Sequence, residues 1–178
     1  MATNRQVIDT TIALERESMA IYTRFAKVFD PQPSLRDFWF RMARDEARHV
    51  GALNLVATVL DLEGKLDLPA PVEISETTVA RVRALLAESG RDSLVAIDRA
   101  LGIALEVEET EVEDMVADLL KAIAERGEYE RYMRLLVHDL GELSYMIEQH
   151  CHDPKLLARC DTLVNRHADN LCKTATGH

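Results

Sequence analysis

The stretch MARDEARHVGAL, residues 42–53, places a glutamate and a histidine three positions apart within an otherwise helix-forming run. Met42, Glu46, His49 and Leu53 follow one another at steps of three or four residues, which is the spacing of a single helical face. Apolar residues before and after them on that face predict that the face is buried. A buried carboxylate beside a buried imidazole is costly unless a partner compensates it. This helix is therefore expected to carry chemistry as well as packing.

The composition is typical of a soluble protein with one globular domain. The chain has 178 residues, of which 47% are hydrophobic and 29% are charged, and its formal net charge is -10. The negative charge and the lack of a basic cluster argue against nucleic acid or an anionic membrane surface as a partner. No apolar run reaches the ~18–20 residues of a membrane span, and the N-terminus lacks the pattern of a secretory signal, so we expect a cytoplasmic location.

The cysteines do not indicate a disulfide framework. Cys151, Cys160 and Cys172 are odd in number and form no CxxC pair, so a thiolate metal site is not indicated either. Cysteine is among the residues most often buried, and we therefore expect buried thiols at these positions.

Helix-breaking residues are sparse, and they divide the chain into long runs of helical character. Most runs are about 20–30 residues long, which predicts an all-α protein. The breaks lie at 30–34, 63–75, 88–93, 125–128 and 152–154. We predict a four-helix bundle over residues 1–152, in which two helical hairpins are joined by a crossover at about 63–92 that holds a short helix at about 77–88. The segment 153–178 is expected to add a helix from about 154 to 173 and a tail, packed on the bundle.

Each of the four long helices carries an acidic residue in the middle of its apolar face. The residues concerned are, in chain order, Glu15, then Glu46 with His49, then Glu106 with Glu109, and finally Asp139 with Glu142. Desolvating an isolated carboxylate costs several kcal/mol, so four such positions are hard to tolerate without a cation. A bound pair of metal ions removes that difficulty.

The two halves of the chain also resemble each other. The matching segments are IALERE (12–17) with IALEVE (103–108), and RMARDEARH (41–49) with RLLVHDLGE (134–142). This alignment pairs Glu46 with Asp139 and His49 with Glu142. A duplicated helical hairpin would bring seven side chains into one layer, namely Glu15, Glu46, His49, Glu106, Glu109, Asp139 and Glu142.

The order of these residues resembles the rubrerythrin branch of the ferritin-like di-iron carboxylate proteins, over roughly residues 5–151. The similarity lies in Glu15 followed by Tyr22, then Glu46-x-x-His49, then Glu106-x-x-Glu109. It implies a ferritin-like bundle with two iron ions per chain, for which manganese or a mixed pair could substitute. It implies that Glu46 and Asp139 bridge the two ions and that Glu15 and Glu106 are terminal ligands. His49 and Glu109 would be alternative ligands, and Glu142 would be a further ligand. His49 and Tyr22 are the residues expected to take part in catalysis. Hard carboxylate oxygens with one imidazole suit iron or manganese.

The sequence departs from that family at three points. The fourth helix reads Asp139-x-x-Glu142, with His138 beside it, where Glu-x-x-His is expected. A tyrosine expected on the third helix, to support ligands together with Tyr22, is missing. We also expect no C-terminal rubredoxin domain of the kind found in true rubrerythrins, so electrons would have to come from a separate donor.

Several other residues have simpler interpretations. Glu17 and Glu108 lie off the apolar faces, which favours a solvated helix surface. Phe38, Trp39 and Phe40 are expected to form core or dimer contacts, in a chain predicted to be a homodimer. Solvated or packing roles are expected for the later histidines, which are His150, His152 and His167.

Two classes of function, and a third without metal, remain open at this point. The first is a di-iron oxidoreductase that reduces hydrogen peroxide or dioxygen with electrons from a separate donor. The second is a non-catalytic protein that binds, oxidises or senses iron. The third is a helical scaffold whose metal site is vestigial, an alternative that the substitutions at Asp139 and Glu142 favour and that the buried acids oppose.

Overall fold

The computed structural model describes residues 1–90, 96–110, 112–123 and 126–176, with only the backbone at 113, 122–123, 126–128 and 173–176. These residues form seven α-helices and no strand, so the all-α prediction is confirmed. The helices are α1 (Asn4–Val28), α2 (Pro33–Leu62), α3 (Glu76–Ser89), α4 (Ile97–Glu108), α5 (Val112–Ile123), α6 (Arg126–His150) and α7 (Pro154–Thr176). No helix within these ranges is both long and apolar enough to cross a bilayer.

Helix starts coincide with residues that favour them. Thr3 and Gln6 form a capping box at the start of α1, and a proline occupies the first position of both α2 and α7. Ser75 caps α3 by accepting a hydrogen bond from the backbone N–H of Thr78 at 3.0 Å. Helix α3 is the short helix predicted inside the crossover. The predicted breaks at 88–93 and 125–128 lie partly outside the described residues.

The third predicted long helix is divided into α4 and α5. Helix α4 ends at Glu108, and the following residue, Glu109, is its C-cap. The backbone N–H of Thr110 then bonds to the carbonyl of Val107 at 3.0 Å, and its hydroxyl bonds to the same carbonyl at 2.7 Å. This tighter turn shifts the helical register, so an apolar face cannot be followed from α4 into α5 across the division.

Helices α1 and α2 form an antiparallel pair around an aromatic core. The Trp39 ring of α2 stacks against the Tyr22 ring of α1, with centroids 6.1 Å apart, and the rings of Phe25 and Phe38 lie closer, at 4.9 and 4.7 Å. None of these four side chains is exposed to solvent. Helix α1 also contacts α3, α4 and α5, and α6 packs against α7. The long contact between α1 and α2 positions the side chains that matter for the site.

Candidate metal centre

Three of the predicted ligands meet in the interface between α1 and α2. Glu46 and His49 lie one turn apart on α2, and Glu15 approaches them from the antiparallel α1. Nδ1 of His49 lies 3.5 Å from Oε2 of Glu15 and 3.3 Å from Oε2 of Glu46. One potential ligand atom from each residue falls within 4.8 Å of the other two. Glu15, Glu46 and His49 are 1%, 3% and 8% exposed, so the group is buried.

Burial determines the electrostatics of this group. Loss of hydration raises the pKa of the Glu46 carboxyl well above its ordinary value, and the neighbouring charge of Glu15 raises the pKa further. The imidazole of His49 acts in the opposite direction, with a smaller effect on that pKa. Two acids side by side in a dry interior need a proton or a cation between them.

The chemistry of these donors fits a metal ion of intermediate hardness. Carboxylate oxygens and an imidazole nitrogen suit iron and manganese, and no thiolate is present to favour softer metals. Oε2 of Glu46 is buried and lies near His49 without the geometry of a hydrogen bond. In the part of the chain that the structure describes, this is the one group of three or more acidic, histidine or cysteine residues whose ligand atoms come this close together.

The other four predicted ligands lie in ion pairs with arginine, and the structure does not bring them to the buried group. On α6, Asp139 contacts Arg48 at 3.2 Å. Glu142, one turn later, accepts a hydrogen bond from Arg41 at 2.9 Å. The side chain of His138, beside Asp139, lies 3.2 Å from that carboxylate and is largely exposed.

The two predicted ligands at the end of α4 are paired in the same way. Glu106 accepts hydrogen bonds from Arg81 and, at 2.8 Å, from Arg99. Glu109 accepts two hydrogen bonds from the guanidinium of Arg159, at 3.1 and 2.5 Å. Both acids line an open cleft of about 740 Å³ between α3, α4 and α7. They therefore face that cleft and the arginines around it.

Glu108 is a buried acid whose position the sequence analysis predicted incorrectly. It is 5% exposed, and the hydroxyl of Tyr22 donates a hydrogen bond to its Oε1 at 2.6 Å, so the expectation of a solvated surface was wrong. Helix α4 is apolar around most of its circumference and is buried on most sides. That near-continuous apolar sequence was the signal available for Glu108.

Tyr22 supports a carboxylate, although not one of the three in the buried group. It lies seven residues after Glu15 in α1, a rise of about 10.5 Å along the helix axis. Its hydrogen bond goes to Glu108. The ring of Tyr132 is the aromatic group beside His49, with ring centroids 5.2 Å apart.

Asp45 is a second buried acid that the sequence analysis did not single out. It is 6% exposed and forms ion pairs with Arg48 at 2.5 Å and with Arg44 at 3.4 Å. Burial raises the pKa of the Asp45 carboxyl, and the nearby charge of Asp139 raises it too, while both arginines lower it. The signal was present in the run RDEAR, in which arginines stand on both sides of Asp45 and Glu46.

The remaining expectations are confirmed in part. Phe38 and Trp39 are core residues, whereas Phe40 is 65% exposed. The expectation of buried thiols is confirmed for Cys160 and wrong for Cys172, which is exposed.

The last of these expectations concerns the later histidines. His167 is 1% exposed, in accordance with a packing role.

Comparison of the chain with protein-family models, with curated proteins and with solved structures finds no match in any of the three.

Proposed function

We propose that the protein is a rubrerythrin-like, iron-dependent oxidoreductase that reduces hydrogen peroxide or dioxygen. The observation that carries the proposal is the buried group of Glu15, Glu46 and His49, in which two carboxylates and an imidazole converge from two helices. Such a group is unfavourable without a bound cation, and its donors match those that iron prefers. The resemblance in residue order supplies the reaction class.

Within this proposal each residue of the group has a distinct task. Glu15 and Glu46 would hold the ion and neutralise its charge, and His49 would supply the single nitrogen ligand. An iron ion bound there would supply electrons to the oxidant. The ring of Tyr132 beside His49 restricts the orientations of the imidazole, and burial of all three ligands keeps bulk water away.

The ferritin-like arrangement of helices is part of the same proposal. Helices α1 and α2 would be the first hairpin, and α4 with α5 would pair with α6 as the second, with α3 in the crossover. The extensive contact of α1 with α2 and the contacts of α6 with both α4 and α5 support this assignment. A separate reductant would restore the iron after each reaction.

One observation favours a second candidate function, the binding of iron without turnover. Four of the seven predicted ligands are engaged by arginines, so the described residues assemble a site for one ion. Oxidation of one ferrous ion to the ferric state releases one electron, whereas reduction of peroxide to water consumes two. A site of this kind suits capture of iron at least as well as peroxide reduction.

Anaerobic loading followed by oxidation tests the proposal and separates the two candidates. Metal-free protein is loaded with ferrous iron, desalted, analysed for metal and mixed rapidly with peroxide while iron oxidation is followed by absorbance. We expect bound iron that is oxidised by peroxide and that supports repeated turnover when a reductant is added. Bound iron without turnover would favour the binding function, and absence of bound iron would refute both.

A matched pair of variants shows whether the proposed ligands are responsible. Glu46→Gln removes a charge from the buried group, and Glu142→Gln makes the same chemical change at a carboxylate paired with Arg41. We expect iron binding to be lost in the first variant and kept in the second. Equal iron content in the two variants would refute the assignment of Glu46.

A further inference from the structure

Arg48 lies between two acids and contacts both of them through one nitrogen atom. Its Nη2 is 2.5 Å from Oδ1 of Asp45, on the same helix, and 3.2 Å from Oδ2 of Asp139 on α6. The side chains of these acids are 8% and 15% exposed. A positive charge that contacts two carboxylates at these distances performs the neutralisation that a bridging cation would perform. An arginine side chain carries this charge at every pH at which proteins are stable.

The same arrangement recurs at the other predicted ligands outside the buried group. Glu142, Glu106 and Glu109 are each in contact with at least one guanidinium. The arginines come from four helices, and all of them except Arg99, which shares α4 with Glu106, reach their acids from a different helix. They are Arg41 of α2, Arg81 of α3, Arg99 of α4 and Arg159 of α7.

The buried group differs from these four acids in its partners. Among the described residues, no arginine or lysine forms an ion pair with Glu46, whose charged-group contact is the imidazole of His49. A positive charge beside Glu46 would therefore come from a proton or from a metal ion. In the part of the chain that the structure describes, the carboxylates of one group converge on an imidazole, and several other carboxylates contact arginine.

We infer that the protein binds one metal ion per chain, at Glu15, Glu46 and His49, and that arginines replace the second ion of the dinuclear centre. The inference rests on the proposed function, because it presupposes that the buried group binds metal. A second ion beside Glu46 would require Asp139 or Glu142 to turn away from its arginine. Turning Glu142 away would leave the guanidinium of Arg41 without its carboxylate. Turning Asp139 away would leave Arg48 with Asp45 alone, and either turn would have to occur while α6 remains packed.

The stoichiometry of binding tests this inference directly. Metal-free protein is titrated anaerobically with ferrous iron and, in a separate experiment, with Mn²⁺, and the bound metal is measured after desalting. We expect saturation at one ion per chain with both metals. Electron paramagnetic resonance of the manganese form should show the spectrum of an isolated ion, without the spin coupling of a carboxylate-bridged pair.

Two variants with the same chemical change distinguish one ion from two. Asp139→Asn should keep the stoichiometry and change the dissociation constant by less than about fivefold, because the partly exposed Asp139–Arg48 pair does not contact the proposed ion. Glu46→Gln should weaken binding by more than the roughly 10–100-fold that is typical when a hydrogen-bond partner of a ligand is lost.

Each outcome of these measurements has a definite meaning. Saturation at two ions, a spin-coupled manganese spectrum, or loss of bound metal in Asp139→Asn would overturn the inference and leave the proposed function intact. Failure to bind either metal would overturn the proposed function, and this inference with it.

Discussion

Replacing Glu46 by glutamine should have opposite effects on the stability of the metal-free and the metal-loaded protein. Without metal, Glu46 is buried beside Glu15, and the folded chain must either keep it protonated or hold a desolvated charge. Each unit by which burial raises the pKa of this carboxyl lowers the free energy of unfolding by about 1.4 kcal/mol at pH values above the raised pKa. Glutamine has nearly the same shape and no charge, so it removes that loss. For a chain of this size, 1.4 kcal/mol corresponds to a rise of about 3–6 °C in melting temperature.

With metal, the order should reverse. At a free metal concentration of about 100 times the dissociation constant, binding stabilises the folded wild type by about 2.7 kcal/mol, or about 5–11 °C. Glu46→Gln should gain little of this, because it lacks one of the ligands. Wild type should therefore melt below the variant without metal and above it with saturating Mn²⁺.

Tryptophan fluorescence provides the assay. Trp39 is the single tryptophan of the chain and is fully buried, so its emission reports unfolding of the core. Glu142→Gln is the matched control, because Glu142 is partly exposed and paired with Arg41. We expect this variant to change the free energy of unfolding by less than about 1 kcal/mol with or without metal. A lower melting temperature for metal-free Glu46→Gln, or an undiminished response of this variant to metal, would refute the reasoning.

Three further predictions concern pH, the Tyr22 hydrogen bond and thiol reactivity. The pKa of Glu46 is raised in the folded state, so the folded state binds more protons than the unfolded one above about pH 4.5. The metal-free protein should therefore lose stability as pH rises above about 4.5. Glu46→Gln should reduce this loss, and thermal melts at several pH values would measure it. Tyr22→Phe removes the donor to buried Glu108 and should lower the free energy of unfolding, measured in urea, by about 1.5–3 kcal/mol. An unchanged midpoint of urea unfolding would count against this hydrogen bond. Burial raises the pKa of the Cys160 thiol to about 12, so Cys160 should react with a thiol reagent far more slowly than exposed Cys172 in the native protein, and equal rates of labelling would contradict its burial.

The positions of the helices were largely predictable because their signals are local. Helix α7 begins at Pro154 as predicted, α2 begins at Pro33 within the predicted break at 30–34, and Ser75 caps the short helix of the predicted crossover. Capping residues and first-turn prolines act on the backbone within a few residues of themselves. A single sequence contains all that is needed to recognise them.

The depth of the acidic side chains was not predictable from the same patterns. Glu46 and Asp139 occupy equivalent places on the apolar faces of their helices, yet the first contacts His49 and the second contacts Arg48. Arg48 is on α2 and reaches Asp139 on α6, and this contact depends on how the two helices pack. Periodicity indicates which side of a helix faces inward, and it does not indicate which charged residue arrives from the neighbouring helix.

The error at Glu108 has a different cause. The run between the predicted breaks at 88–93 and 125–128 was interpreted as one helix, whereas the structure has α4 ending at Glu108 and α5 beginning at Val112. Adjacent residues on an α-helix point about 100° apart, so an apolar face that runs through α5 cannot be continued back across the division to decide which acid of α4 faces the core. Glu108, and not Glu109, is the acid that Tyr22 contacts.

The exposure of the arginines gives the acids of this protein two different responses to salt. The side chains of Arg41, Arg48, Arg81 and Arg159 are 40–51% exposed, so water and dissolved ions reach one side of each ion pair. The screening length falls from about 10 Å at 0.1 M salt to about 3 Å at 1 M, and partly exposed pairs weaken accordingly. Glu15 and Glu46 are almost fully buried, and salt screens the interactions of buried groups much less. Concentrated salt would therefore loosen the contacts of Asp139, Glu142, Glu106 and Glu109 and change the interaction between Glu15 and Glu46 far less.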